Sequence, residues 1–333
     1  MGDPGSDLVR EEQVEVTALD GVVLRGTLAR SSVADAPVRG VLLVHGGGVT
    51  REEGGFFTRL AAGLATAGVA SLRLDLRGHG TSDGRQEELT LAAILNDIRV
   101  GVEHLATATG ATTSLLGASF TGGLCACYAA RRPGDVERLV LLNPQFDYLL
   151  RTVHTSSLWQ GERLTPAAVR FLDEHGYVQF RPTLRHGRPI LNEVFWFDPA
   201  ADLEQVTAPT LLVHGTGDTL VPIDTTRAAA KRLRAPHQLV EIEGAQHGFA
   251  AHDDPGYHDP RTKVLAGAGD PDRDGLDHAW GRGGLRVGAR LGSGRAGLAG
   301  WPWGSAAGGP VGDQSGDGLD GLFDVFTASD IAL

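Results

Sequence analysis

The sequence predicts an α/β fold: a mostly parallel central sheet with helices on both faces, led by an antiparallel N-terminal hairpin and interrupted by a helical lid insertion. Three observations predict it. From Gln13 to about His247, short β-rich runs alternate with segments whose apolar residues recur at helical spacing. Strands separated by helices run parallel, and a parallel sheet is covered on both faces. The run 144–206 breaks that rhythm and is far longer than an ordinary connection.

The elements follow in order. EQVEVTAL and GVVLRGTLA read as two strands joined at Asp20-Gly21, a dipeptide suited to a tight hairpin turn. GVLLVH (40–45) is a nearly all-apolar strand, and REEGGFFTRLAAGLATAG then carries apolar residues at helical spacing. VASLRLD (69–75) is the next strand and LTLAAILNDIRVGVEHLA (89–106) a long amphipathic helix. TTSLLG (112–117), VERLVLLN (136–143), PTLLVHG (209–215) and HQLVEIEG (237–244) complete the strands. Helices are expected after Ser119 and over TTRAAAKRL (225–233).

The chain divides into a body, residues 12–250, and a tail, residues 251–333. Within the body, the insertion 144–206 holds nine aromatics in 63 positions, about 14% against 6% for the chain. Such a segment suits a lid over a pocket, with Phe146, Tyr148, Trp159, Phe195 and Trp196 as substrate-facing candidates. The alternative is a small helical subdomain whose aromatics fill its own core. The tail has 19 glycines in 83 residues, against 28 in the first 250. Gly at that density opposes regular structure, so the tail is expected to be disordered, or an out-of-frame translation of GC-rich DNA.

Composition excludes several classes. A net charge of -11 offers no basic field for nucleic acid. No apolar stretch approaches the roughly 20 residues of a membrane span, and MGDPGSDLVR lacks the pattern of a secretory signal. Cys125 and Cys127, two apart in an expected helix, point to different faces and suit neither a disulfide nor a metal. A reduced, cytoplasmic setting is the expectation. No metal-ligand spacing, phosphate loop or dinucleotide fingerprint is present, so no cofactor is expected; the partner is a small molecule, and no oligomeric state is assigned.

The chemistry centres on LLGASFTGG. Ser119 follows a strand and opens a helix, an abrupt turn that lifts its hydroxyl above the sheet edge. The Phe120 N–H, at the helix N-terminus, then points toward an oxygen that becomes negative on attack. A serine hydroxyl needs a base, and the base an orienting acid. His247 stands just past HQLVEIEG and Asp218 just past PTLLVHG, in the order Ser, Asp, His. Gly46, Gly47 and Gly48 follow the strand ending at His45; Gly47 is the expected second oxyanion donor, with Gly48 close behind.

Together HGGG, DLRGHGTSDG, GASFTGG, HGTGDTLVP and GAQHGF resemble the α/β-hydrolase superfamily over roughly residues 12–250. The resemblance implies Ser119 as nucleophile, His247 as general base and Asp218 as its partner, and makes Asp75–Ser82 a structural turn. His45 and His79 are expected to be structural, and His252 is passed over because it lies further from its strand. His154, His175 and His186 fall in the insertion and are expected to be solvated. One departure stands at Thr121, where the nucleophile pattern G-x-S-x-G has Gly; the larger side chain either spaces helix from strand or fills a gap with its methyl. The implied activity is cleavage of a carboxylic ester or thioester of a bulky apolar acyl or aryl group through an acyl-enzyme. Two alternatives stay open: acyl transfer or carboxylate elimination by the same triad, and a non-catalytic protein that binds a hydrophobic ligand.

Overall fold

A computed structural model describes residues 9–33 and 39–247. β1 (Val9–Thr17) and β2 (Val23–Ser31) form the antiparallel hairpin, with Thr17 opposite Val23 and Gly21 at φ +87° in the connection. β3 (Arg39–Val44), α1 (Phe56–Thr66), β4 (Val69–Leu74), α2 (Leu91–Thr109), β5 (Thr112–Ala118), α3 (Gly122–Arg131) and β6 (Leu139–Leu142) follow. The insertion then holds β7 (Trp159–Gln160), β8 (Arg163–Leu164), α4 (Pro166–His175), β9 (Tyr177–Arg181), β10 (Leu184–Gly187) and α5 (Arg188–Glu193). β11 (Thr210–Gly215), α6 (Ile223–Arg232) and β12 (His237–Ile242) return to the sheet. Its strand order is β1-β2-β4-β3-β5-β6-β11-β12, parallel from β4 onward.

The period-2 alternation of the strands builds two cores. Leu42, Leu72, Leu115, Leu139 and Leu212 face α2 and α3, where Ile94, Ile98 and Leu124 are buried with them. Val41, Leu43, Leu116, Val140 and Val213 face the other way, onto Phe57, Leu60 and Leu64 of α1. One apolar run therefore serves two layers, which is why these strands read as continuous hydrophobic stretches.

The insertion differs from the helical segment expected. It contains two small antiparallel hairpins, a π-helical turn at Leu150–His154 and a 3-10 stretch at Pro199–Gln205 beside its two helices. The hairpins are too short to leave a legible period in the sequence. Ala168, Leu172, Val178 and Leu191 form a core of the insertion's own. A carboxylate of α5 ties it to the body: Glu193 accepts from the Leu91 and Ala92 N–H groups, the latter at 3.1 Å, beside Thr90, whose hydroxyl caps α2 through the Ala93 N–H at 2.9 Å. These are donors that a helix start leaves without an internal partner.

β3 and β5 are neighbours, yet the chain leaves β3 for β4 on one side and β5 for β6 on the other. The carboxyl ends of such a pair open a crevice. Val44 lies opposite Gly117, so the loops after the two strands meet there. The reading of residues 251–333 lies outside the described residues. Among those described, no helix is long and apolar enough to cross a membrane.

Candidate active site

Ser119 sits at φ +52° between β5 and α3, a left-handed backbone for a residue with a Cβ. Strain of this kind, on the order of 1–3 kcal/mol, persists only where the surroundings enforce it. They do so by close approach. A Cβ at Gly117 would lie 2.5 Å from Cys125 Sγ, and one at Gly122 2.5 Å from Pro144 Cβ. The Gln145 N–H donates to the Ser119 carbonyl at 2.8 Å and fixes the turn from the far side.

Thr121 fills the departure from the pattern with its hydroxyl. Fully buried, Thr121 Oγ1 lies 3.0 Å from the Val44 and Ala118 carbonyls and 3.1 Å from that of His45, so it laces the end of β3 to the end of β5. The methyl-filling and wider-spacing expectations both left this bond out.

Ser119, His247 and Asp218 meet at the sheet's carboxyl edge. Ser119 Oγ lies 2.7 Å from His247 Nε2, and His247 Nδ1 2.7 Å from Asp218 Oδ2. The Leu220 and Val221 N–H groups donate to Asp218 Oδ1 at 2.8 and 2.9 Å. Burial opposes ionisation of Asp218. The hydrogen bonds from His214 and His247 outweigh it and hold the carboxyl well below its ordinary range.

His214 is the residue that sequence reasoning missed. It is fully buried in β11, with Nε2 2.9 Å from the Val221 carbonyl and 3.3 Å from Asp218 Oδ2, and Nδ1 2.8 Å from Thr226 Oγ1. Two acceptors on one nitrogen assign its proton to Nε2, leaving Nδ1 to accept from Thr226. Its signal was a His one residue before a strand end, four before Asp218.

The glycine turn after β3 is held by two neutral histidines. His45 Nδ1–H donates to the Gly46 carbonyl at 2.7 Å and Nε2 accepts the Leu76 N–H at 3.0 Å; burial pushes its pKa down to about 3. His79 Nε2 accepts the Gly48 N–H at 3.2 Å. Gly48 is thereby engaged, which removes it as an oxyanion donor. The Gly47 N–H and the Phe120 N–H, in the first turn of its helix, have no hydrogen-bond partner among the described residues. The Gly46 N–H donates to Glu53 Oε2 at 2.7 Å, and burial pushes that carboxyl up to about 7.

A cavity of about 160 Å³ opens beside Ser119 and His247, with Gly46, Gly47, Glu53, Phe56, Arg59 and Arg181 among its lining residues. The five aromatics expected to grip substrate do not line it, and this is a correction. Phe146 and Tyr148 are 3% and 1% exposed in the main core, where the Tyr148 hydroxyl donates to the Phe120 carbonyl. Trp159 packs edge-on against Phe195, ring centroids 5.6 Å apart, and Trp196 is 90% exposed. Phe146 and Tyr148 fill the main core and the insertion's own core is aliphatic, so the aromatics follow neither the substrate-facing expectation nor the alternative. The expectation of solvated histidines also fails at His186, which is 1% exposed. His252 lies outside the described residues.

Residues 35–254 match the family described as serine aminopeptidase, S33. A non-heme chloroperoxidase of Kitasatospora aureofaciens is 28% identical over 224 residues, 56% of this chain and 78% of that protein. A monoacylglycerol lipase of Mycolicibacterium smegmatis is 27% identical over 225 residues, 60% of this chain and 77% of that one. Among solved structures, Est1E from Butyrivibrio proteoclasticus with ferulic acid bound is similar at a TM-score of 0.62 and 22% identity, covering 76% of this chain and 96% of that chain. A dienelactone hydrolase from Anabaena variabilis reaches 0.51 at 22% identity, covering 78% and 96%. The structural similarities are similarities of fold.

Proposed function

This chain belongs to the serine aminopeptidase S33 family of the α/β-hydrolase superfamily and is a hydrolase; from that premise we propose that it cleaves a carboxylic ester or thioester through an acyl-enzyme on Ser119. One observation carries the reading: two consecutive 2.7 Å hydrogen bonds, Ser119 to His247 to Asp218, beside the unpartnered Gly47 and Phe120 N–H groups.

Ser119 Oγ attacks the substrate carbonyl carbon while His247 Nε2 takes the hydroxyl proton. The carbonyl electron pair moves onto oxygen, and the Gly47 and Phe120 N–H groups donate to it, an effect of about 3–4 kcal/mol per donor in comparable sites. Collapse expels the alcohol or thiol, which receives the proton from His247. Water then repeats the attack on the acyl-enzyme with His247 as base, releasing the acid and restoring Ser119. Asp218 keeps the imidazole oriented throughout, and His214 keeps Asp218 in place.

The acyl group is read as compact. A cavity of about 160 Å³ is small beside the several hundred cubic ångströms of a site for a bulky ligand. This replaces the bulky apolar group expected from the aromatic count. The β9–β10 hairpin sets Leu184 against Gly47, where a Cβ would meet Leu184 Cδ2 at 3.1 Å, and we read the insertion as the cover of the site.

The test is Ser119→Ala against a panel of p-nitrophenyl esters. The native chain is expected to show a burst followed by steady turnover, and the variant to lose about 10⁴-fold or more in kcat. Undiminished turnover overturns the assignment. A fluorophosphonate adduct without ester turnover supports acyl transfer or elimination, and no adduct supports a ligand-binding role.

A further inference from the structure

The cavity beside Ser119 is lined by two arginines from opposite elements, Arg59 of α1 and Arg181 of β9. Among the described residues neither makes an ion pair, and Arg59 Nε is buried without a hydrogen-bond acceptor. The contrast with nearby arginines lies in the ion pairs: the Nε of Arg51 and of Arg73 is buried without a hydrogen-bond acceptor too, but Arg51 pairs with Asp75 at 2.5 Å and Arg73 with Glu11 at 2.7 Å. A third guanidinium, Arg151, flanks the same Phe180 ring as Arg181, at 5.8 and 5.9 Å from its centroid, and its Nε is likewise buried and unpartnered.

Guanidinium stays charged in proteins, so half-buried, unpaired arginines carry a standing desolvation cost. Burial, and then repulsion from Arg151, lowers the pKa of Arg181 to about 10. The two carboxyls at the site offset this charge only in part: Asp218 acts on Arg181 and Arg151 through space without pairing with either. Asp218 is bonded to His247, His214 and two amides, and Glu53 faces the Gly46 N–H. The lining is therefore cationic, with Val49, Phe56 and Leu142 as apolar wall.

We propose that this cavity receives an acyl group that itself carries a carboxylate, held by the forked donors of Arg181 and Arg59. The proposal rests on the reading of Ser119 as nucleophile and names the substrate class of that site: the monoester or monothioester of a short dicarboxylic acid. A short methylene chain lies along the apolar wall, with one carboxyl esterified at Ser119 and the other on the arginines. Arg matches carboxylate in bidentate geometry, which makes the arrangement selective against neutral chains of the same shape.

Two esters of nearly equal shape test it, mono-p-nitrophenyl glutarate and p-nitrophenyl 5-methylhexanoate. In the native chain kcat/KM is expected to favour the charged ester by about tenfold or more. Arg181→Gln and Arg59→Gln are each expected to reduce that ratio by about tenfold, and Arg181→Lys to retain part of it. A native ratio near one, or a ratio unmoved in both Gln variants, overturns the proposal. Calorimetry on Ser119→Ala separates it from the hydrolase reading. Monomethyl glutarate is expected to bind that variant and to bind about tenfold more weakly once Arg181→Gln is added. If Ser119 takes no fluorophosphonate and neither ester turns over, the nucleophile reading fails and this binding alone decides the anion site; equal binding with and without Arg181 overturns it.

Discussion

His214 and His186 are enclosed almost equally, 0% and 1% exposed, and are used in opposite ways. At the carboxyl edge of the sheet, both His214 nitrogens are engaged and the ring steadies Asp218. In the insertion, both His186 nitrogens lack a hydrogen-bond partner among the described residues, and the ring lies flat on Phe180 with centroids 4.2 Å apart. Arg151 Nε and Trp159 Nε1, also in the insertion, are buried and unpartnered too. Around Asp218 the buried polar atoms are used on one another because the reacting groups must be held within tenths of an ångström; Arg59 Nε, in the cavity wall, is the exception. The insertion leaves its own unspent, and Arg181, which it contributes to the cavity, is the cation best placed to meet a ligand.

The largest effect tests the edge. Asp218→Asn keeps the shape of the side chain but removes the charge that holds the His247 imidazole in its donor tautomer. A loss of about 10⁴-fold in kcat is expected, with little change in KM for a neutral ester. Steady-state kinetics on p-nitrophenyl butyrate checks it, and a loss under tenfold would show that the edge is not organised around this carboxylate.

Glu53 tests whether the edge is uniformly well partnered. Its folded pKa is raised from 4.5 to about 7 by burial, so the native state holds a proton that the unfolded chain has released. Stability attributable to Glu53 is therefore full below about pH 4.5, falls as pH rises, and is lost above about pH 7. The sum is about 3 kcal/mol. Glu53→Gln keeps an acceptor for the Gly46 N–H and cannot ionise. Urea denaturation is expected to find the variant more stable at pH 8 by about that amount and nearly equal at pH 4.5. The same difference at both values would remove the carboxyl from the buried set.

The two histidines allow the comparison to be broken directly. His214→Leu strips Thr226 and Asp218 of a buried partner and is expected to cost about 2 kcal/mol of stability as well as activity. His186→Leu removes two polar atoms that bond to nothing described, and is expected to be neutral or stabilising at pH 7. At pH 5 the second variant should gain further. Burial pushes His186 down to about 3, so its neutral form adds stability at high pH that is lost as pH falls below 6.5. Thermal melts of both variants at the two pH values decide it, and equal costs would erase the distinction between the regions.

The same divide governs what could be read from the residues alone. Ser119, Asp218 and His247 each stand just after a strand, so a local pattern locates them and the parallel sheet brings them together. His214 is easily passed over because it lies inside an apolar strand and resembles core, its one signal being its place next to the strand end. Glu53 is one of two adjacent acids, and its inward turn depends on a left-handed φ of +45° that no residue pattern specifies. In the insertion, composition recorded nine aromatics but not which surface each covers. Tyr148 and Phe146 went to the main core and Trp159 onto Phe195, and a segment with no repeating period does not say which of its residues pack together.

The smallest expected effect isolates that last point. Trp196 was a candidate for gripping substrate and is 90% exposed, beside Phe195 and Phe197, which pack inward. An exposed side chain that buries almost no surface contributes almost no transfer free energy, whatever its size. Trp196→Ala is accordingly expected to change stability by less than about 0.5 kcal/mol and to leave ester turnover unchanged. Tyr148→Phe, by contrast, removes the hydroxyl that reaches the Phe120 carbonyl and is expected to cost about 1 kcal/mol. The pair separates aromatic content from aromatic placement within one segment. A marked loss of turnover in Trp196→Ala, measured on both the charged and the neutral ester, would mean that the insertion closes over substrate and carries this ring with it.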